Sequence, residues 1–299
     1  MRLGIDLGGT KIAAVVLGED DRLVWETRVP TPRDDYEATV AAIAALVDAG
    51  ERAAGARCSV GIGMPGAISP ATGVVKNANS TWLNGRTLDA DLETRLARPL
   101  RFANDANCLA MSEAADGAAA GALVVFAAIL GTGIGGGVVV DGRIVTGANA
   151  IGGEWGHNPL PWPRDDERPG PACYCGRAGC LETFVSGPGL AADYVRRGGD
   201  VAPAEDIVAR AAAGETRAVE TLAAWTERLA RAFATIINVL DPDVVVCGGG
   251  LSRLEHLYRD VPAQWTQWVF SDRVVTQLLP AKHGDASGVR GAARLWSRP

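Results

Sequence analysis

Leu3-Gly4-Ile5-Asp6-Leu7-Gly8-Gly9-Thr10-Lys11-Ile12-Ala13-Ala14-Val15-Val16-Leu17 is the stretch on which the fold turns. Its two short apolar runs, Leu3 to Leu7 and Ile12 to Leu17, flank a Gly-Gly pair, the pattern of two strands joined by a tight turn. A third run, Leu23 to Val29, follows the polar turn Gly18 to Arg22, so the chain opens as a β-meander. Asp34 or Asp35 then starts a predicted helix reaching about Ala49, and Val60 to Met64 returns as a strand ending at Pro65-Gly66. The meander gives way to β/α alternation.

The opening recurs. Ile5-Asp6-Leu7-Gly8-Gly9-Thr10 is echoed by Ile129-Leu130-Gly131-Thr132-Gly133, each ahead of another apolar strand, which points to a duplicated unit. Gly117 to Val140 carries no charge and is long enough to span a bilayer as a helix. Gly131, Gly133, Gly135, Gly136 and Gly137 would interrupt such a helix, so the stretch reads as strand (Leu123 to Leu130), Gly-rich loop and strand (Val138 to Val140). Thr216 to Leu240 places Leu222, Leu229, Phe233, Ile236 and Leu240 at helical spacing for a long core-facing helix, stopped by Asp241-Pro242. Val244 to Cys247 is a buried strand running into Gly248-Gly249-Gly250, and Gly288 to Trp296 forms a last helix within the segment 286–299.

A chain of 299 residues accommodates two domains of about 150 residues. The Ala/Gly-rich stretch that begins at Asp116 sets them at 1–115 and 116–285. A chain this long buries roughly three quarters of its unfolded surface and needs no disulfide framework. With 35 acidic against 29 basic residues and no polybasic block, the charge of −6 excludes nonspecific nucleic-acid or membrane-surface binding. Leu3 to Leu7, interrupted by Asp6, is no signal-peptide core, so a cytoplasmic protein is expected.

Three Gly-rich turns follow apolar strands: Gly8-Gly9-Thr10-Lys11, Gly131 to Gly137 (with Gly131, Thr132 and Gly133 leading) and Gly248-Gly249-Gly250. Glycine lets backbone N–H groups approach an anion, Thr10 and Lys11 add a hydroxyl and a positive charge, and Asp6 is placed to hold a hydrated Mg²⁺ on phosphates. A single such turn reads equally as an ordinary hairpin; three of them describe clamps on a nucleotide. Asn104-Asp105 follows the strand Leu100 to Ala103 at the start of a helix through Ala115. Asp105 there is either an N-cap or a base that accepts the proton of an attacking hydroxyl. Cys173, Cys175 and Cys180, three cysteines in eight residues, join His157 in a Cys3His pattern for structural Zn²⁺, favoured over disulfides by the expected reducing compartment. Cys58, Cys108 and Cys247 lie in apolar contexts and read as small buried hydrophobes. Glu154 and Glu182 bracket the metal motif; each is either a solvated loop carboxylate or, on a loop fixed by metal, an acceptor suited to the hydroxyls of a sugar.

Together Asp6 to Lys11, Asn104-Asp105, Gly153-Glu154-Trp155-Gly156-His157 and Cys173-Tyr174-Cys175-Gly176-Arg177-Ala178-Gly179-Cys180-Leu181-Glu182 resemble the ROK (repressor, open reading frame, kinase) sugar kinases. Within that family, Pro30 to Tyr36, Lys76-Asn77-Ala78-Asn79-Ser80-Thr81-Trp82-Leu83-Asn84-Gly85 and Lys282 to Asp285 look closest to bacterial fructokinase, also called manno(fructo)kinase. The resemblance implies an α/β, two-domain actin/Hsp70-like (ribonuclease H-like) ATPase fold with an interdomain cleft, the C-terminal helix 286–299 returning to the first domain. It implies ATP- and Mg²⁺-dependent phosphorylation of a hexose 6-hydroxyl, fructose first and mannose second. Glucokinase, N-acetylhexosamine kinase and a non-catalytic sugar-binding regulator are the rival readings.

By the same resemblance, Asp105 is the base, and Asn79, Asn104, Glu154, His157 and Glu182 face the sugar. Asp6, Gly8, Gly9, Thr10, Lys11, Gly131, Thr132, Gly133, Gly248, Gly249 and Gly250 hold the nucleotide, while His157, Cys173, Cys175 and Cys180 hold Zn²⁺. A homodimer is expected. The Pro-rich insert Pro159 to Pro171 lengthens the His157 to Cys173 separation relative to many family members. Family repressors carry an N-terminal helix-turn-helix; with a strand starting at Leu3, DNA binding is not expected.

Overall fold

The computed structural model describes residues 1–296; positions 297–299 of the expected segment 286–299 lie outside the described residues. The chain runs β1 (Arg2–Leu7), β2 (Lys11–Leu17), β3 (Leu23–Pro30), α1 (Tyr36–Ala54), β4 (Ser59–Met64), the short hairpin β5 (Ala67–Ile68) and β6 (Val75–Lys76), α2 (Leu88–Leu96), β7 (Arg101–Asn104) and α3 (Asp105–Asp116). It continues with β8 (Val124–Leu130), β9 (Ile134–Val140), β10 (Arg143–Ile144), α4 (Glu182–Val185), α5 (Gly187–Arg196), α6 (Ala204–Ala212), α7 (Thr216–Leu240), β11 (Val244–Gly248), α8 (Leu257–Asp260), β12 (Gln277–Pro280) and α9 (Ser287–Arg294). Backbone contacts divide it into one unit of Met1–Gly121, Gly137–Gly153 and Lys282–Pro299, and a second of Ala122–Gly136 and Glu154–Ala281.

Two sheets repeat one topology. The first has the order β3-β2-β1-β4-β7, the second β10-β9-β8-β11-β12: in each, the third, second, first, fourth and fifth strands of its own sequence. In the first, β1 pairs antiparallel with β2 and parallel with β4, and β4 runs parallel to β7. In the second, β8 and β11 are parallel, as are β11 and β12. The duplication legible at Gly8 and Gly131 is therefore a duplication of whole sheets.

In the first unit β2 shows why the sheet is covered on both faces. Ile12, Ala14 and Val16 join the core that includes Ile43 and Val47 of α1, whereas Ala13, Val15 and Leu17 meet Val289 and Ala293 of α9. Successive strand residues point to opposite faces, so an almost continuous apolar run signals burial on both. Helix α9 lies close because glycines face it: a methyl group on Gly61 would stand 2.0 Å from the Ala292 carbonyl oxygen, and one on Gly291 1.8 Å from that of Cys108.

Three sequence expectations are corrected. Helix α1 runs past Ala49 to Ala54 because Gly50 packs on Leu3, Val16 and Trp25 rather than ending the helix; Gly55, at φ 62°, ends it. The turn after β8 is confined to Gly131–Gly133, and Gly135, Gly136 and Gly137 belong to β9. There glycine serves close approach, since a methyl on Gly137 would lie 2.3 Å from the Ala106 carbonyl oxygen. On α7 the fully buried large apolar side chains are Trp225, Leu229 and Phe233, while Leu222, Ile236 and Leu240 are only half-buried.

The same helix buries Arg228 and Arg231, which pin the Pro-rich insert. Glu167 accepts from Arg228 Nε at 2.7 Å and from Arg231 Nη2 at 2.8 Å, and Arg231 Nη1 donates to the Trp162 carbonyl at 2.6 Å. Asp193 of α5 takes the other arm of Arg228 at 2.6 Å. Burial alone would raise the Glu167 carboxyl, but the two arginines hold it down to about 2. No helix among the described residues is long and apolar enough to cross a membrane.

Candidate functional site

In the first unit the candidate residues gather at the carboxyl ends of parallel strands. Asp6 of β1 is opposite Gly63 of β4, and Met64 of β4 is opposite Asn104 of β7, so Asp6 and Asn104-Asp105 end strands on one edge of the sheet. Open α/β sheets bind ligands at that edge. Burial raises the Asp6 carboxyl above its ordinary value, with Lys11 and Arg28 opposing. Burial, and after it Asp6 and Asp105, push the thiol of the fully buried Cys108 well up, so both carboxylates act on one point.

The N-cap question at Asp105 resolves by one position. Asn104 is the N-cap of α3 and its side-chain oxygen accepts from Ala106 N at 2.9 Å, while its amide donates to Gly66 O at 3.2 Å. Asp105 is the first helical residue, and its Oδ1 lies 2.8 Å from the same Ala106 N–H. Gly8 N donates to Lys11 O at 3.0 Å, closing the turn, and Thr31 Oγ1 donates to Gly8 O at 2.7 Å. Thr10 and Lys11 are exposed at its tip.

Asn79 is exposed on a loop that Asn84 clamps: Asn84 Oδ1 accepts from Ala78 N and its amide donates to Ala78 O, both at 2.9 Å. This clamp was not read from sequence, although an Asn followed by Gly85 at φ 79° is a turn signal. Lys282 and His283, part of the resemblance, serve structure: their backbone N–H groups donate to the buried Glu113 at 2.9 and 3.2 Å.

The second unit holds the other candidates. Gly131 and Gly249 follow the parallel strands β8 and β11, where Gly248 is opposite Ile129. Gly249 has φ 87° and a methyl there would sit 2.5 Å from the Leu130 carbonyl oxygen, so only glycine fits. Beside these turns opens a 630 Å³ cavity lined by Gly131, Thr132 and Gly250 together with Gly187 and Pro188 of α5, Ala204, Glu205 and Val208 of α6, and Arg253. Residues from α5 and α6 were missed by the sequence reading. The available signal was Ser186, whose hydroxyl accepts from Gly189 N at 3.1 Å ahead of a proline in the first turn.

Trp155 sets the position of Glu154 and His157. Its ring stacks on Phe233 (centroids 5.1 Å apart), meets Phe126 edge-on (5.3 Å) and donates from Nε1 to Gly135 O at 2.8 Å. A methyl on Gly156 would lie 2.1 Å from Ile134 O, so the Trp155–His157 turn lies tight on β9. Glu182 opens α4 and accepts from Ile134 N through Oε2 at 2.8 Å, tying it to the loop at Gly133.

The ligand atoms of His157, Cys173, Cys175 and Cys180 all lie within 4.8 Å of one another. His157 Nδ1 is 3.6 Å from Cys173 Sγ, and Cys175 Sγ is 3.6 Å from Cys180 Sγ. A disulfide needs about 2.05 Å, whereas sulfurs on tetrahedral zinc with 2.3 Å bonds stand about 3.8 Å apart. All the cysteines are free thiols, so the donor set fits a four-coordinate Zn²⁺. The turn carrying the ligands closes through Cys173 N to Arg177 O at 2.7 Å and Gly176 N to Cys173 O at 3.0 Å. On the other side of the ring, His157 Nε2 is 3.0 Å from the Tyr174 hydroxyl.

The sequence profile of the ROK family matches residues 2–298. The chain is 39% identical over 299 residues to the N-acetyl-D-glucosamine kinase of Yersinia enterocolitica, covering 99% of each. Among solved structures it is similar to the ROK hexokinase from Thermus thermophilus (TM-score 0.87, 32% identity, 98% of this chain and 96% of that one). It is also similar to a ROK family glucokinase from Streptomyces griseus in complex with glucose and AMPPNP (TM-score 0.77, 29% identity, 98% of each). The fold is accordingly the actin/Hsp70-like fold of those kinases. A match over nearly the whole chain, on a duplicated sheet that carries the Gly-rich turns at its strand ends, means that this protein belongs to the ROK family and is one of its sugar kinases.

Proposed function

We propose that the protein transfers the γ-phosphoryl group of ATP to the 6-hydroxyl of an N-acetylhexosamine, N-acetyl-D-glucosamine before N-acetylmannosamine. The observation that carries this reading is the full-length likeness, at 39% identity, to a kinase named for that sugar. It replaces fructose, the first expectation, with one of the rivals.

In this reading Asp105 accepts the proton of the 6-hydroxyl as that oxygen attacks phosphorus, leaving ADP. Asn79, Asn104, Glu154, His157 and Glu182 hold the sugar, the carboxylates accepting from its hydroxyls. Gly8, Gly9, Thr10, Lys11 and Gly131 to Gly133 receive the phosphates, and Gly248 to Gly250 with the adjoining cavity receive the nucleoside. Asp6 is the carboxylate for Mg²⁺, and its burial beside only partial countercharge fits a cation there. Mg²⁺ supplies neutralisation of the phosphoryl oxygens. Zn²⁺ on His157, Cys173, Cys175 and Cys180 is structural: four protein ligands leave no open position. Each of the two units carries part of this set, and the working assembly is a homodimer.

ADP release measured with N-acetylglucosamine, N-acetylmannosamine, glucose, mannose and fructose tests the reading. The highest kcat/KM is expected on N-acetylglucosamine. Preference for fructose would restore the first expectation, and sugar binding without ADP release would make the protein a regulator.

A further inference from the structure

We infer that Tyr174 contacts the sugar and supplies the hydrogen-bond donor that selects an N-acetyl group. The inference rests on the N-acetylhexosamine reading above. Tyr174 stands between the metal ligands Cys173 and Cys175; it is 78% exposed and open to a ligand arriving from solvent. Its hydroxyl lies 3.0 Å from His157 Nε2, and the two rings meet edge to face with centroids 5.2 Å apart.

His157 Nδ1 is the atom turned toward Cys173 Sγ, so Nε2–H is the donor left on the ring, shared between the tyrosine oxygen and the sugar. The tyrosine's own proton is then directed onward. The contact with His157, itself assigned to the sugar, places the phenol beside that set, and Glu182 and Glu154 lie within electrostatic reach of it. As carboxylates the two glutamates accept hydrogen bonds, and they suit sugar hydroxyls, which donate. An acetamido oxygen accepts and cannot be served by a carboxylate. Tyr174 provides the neutral O–H that completes the set. A sugar with a hydroxyl in place of the acetamido group can donate to a glutamate and gains little from the phenol.

Steady-state kinetics of the wild type and Tyr174→Phe on N-acetylglucosamine and on glucose, with zinc measured on the same preparations, test this. The expected result is a loss of about tenfold in kcat/KM on N-acetylglucosamine, a change of less than about twofold on glucose, and an unchanged zinc content of about one per chain. An equal loss on both sugars, no loss on either, or a loss of zinc overturns the inference; in the last case Tyr174 only supports His157. In those outcomes the wild type still phosphorylates N-acetylglucosamine, so the functional reading stands. A wild type that turns over glucose but no N-acetylhexosamine overturns the functional reading, and the inference with it.

Discussion

At Asn104-Asp105 the structure assigns the cap to Asn104, which leaves Asp105 for the proposed role of base. The amide of Asn104 caps α3, and Asp105 starts the helix at the strand's carboxyl end with Asp6 nearby. Asp105→Asn keeps the side-chain oxygen beside Ala106 N and removes only the basicity, so turnover is expected to fall by about 10²-fold or more with KM for ATP little changed. Steady-state kinetics at saturating sugar check it. Glu167 is a second case, in stability. Its carboxyl is held at about 2 in the fold against 4.5 in the open chain, so its contribution is complete above about pH 4.5 and is lost as pH falls toward 2. Glu167→Gln removes the carboxylate that Arg228 and Arg231 share, leaving Arg228 to Asp193 and Arg231 to Glu227 at 3.8 Å; a destabilisation of about 3 kcal/mol at pH 7 is expected, together with a flatter loss of stability between pH 4.5 and 2. Urea unfolding at several pH values reads both.

Helix α9 shows how an element is positioned by side chains missing from its neighbours and from itself. Gly4, Gly61 and Gly291 remove side chains at the places where α9 meets β1, β4 and α3. Gly291→Ala would drive a methyl to 1.8 Å from the Cys108 carbonyl oxygen, and the thermal midpoint is expected to fall by several degrees, an overpacking cost of about 1–3 kcal/mol. The sequence placed a final helix at Gly288 to Trp296, yet its spacing could not assign the partners, because a glycine opposite a helix looks the same in sequence as a glycine in a turn. The run Gly135-Gly136-Gly137 was read as loop for that reason. Helices α2, α5 and α6 are short, with buried residues too few to leave a periodic signature, and went unread.

At the scale of the molecule, the loop carrying His157, Cys173, Cys175 and Cys180 is the part whose integrity is proposed to depend on Zn²⁺. Removing Zn²⁺ with a strong chelator is expected to lower the thermal midpoint and to abolish sugar phosphorylation, with recovery on adding zinc; unaltered stability after metal analysis shows none would contradict the four-ligand reading. The sequence by itself determined the duplicated β-meander, the Gly-rich turns, the helix after Asn104 and the Cys3His set, because each depends on local spacing along the chain. Tertiary structure decided what no spacing carries: that β1, β4 and β7 end together so Asp6 and Asn104 share an edge, that buried Arg228 and Arg231 pin the insert, and that the Tyr174 hydroxyl meets His157. Those are contacts between residues distant in sequence, or side-chain directions fixed by a metal turn, and they exist only once the chain has closed on itself.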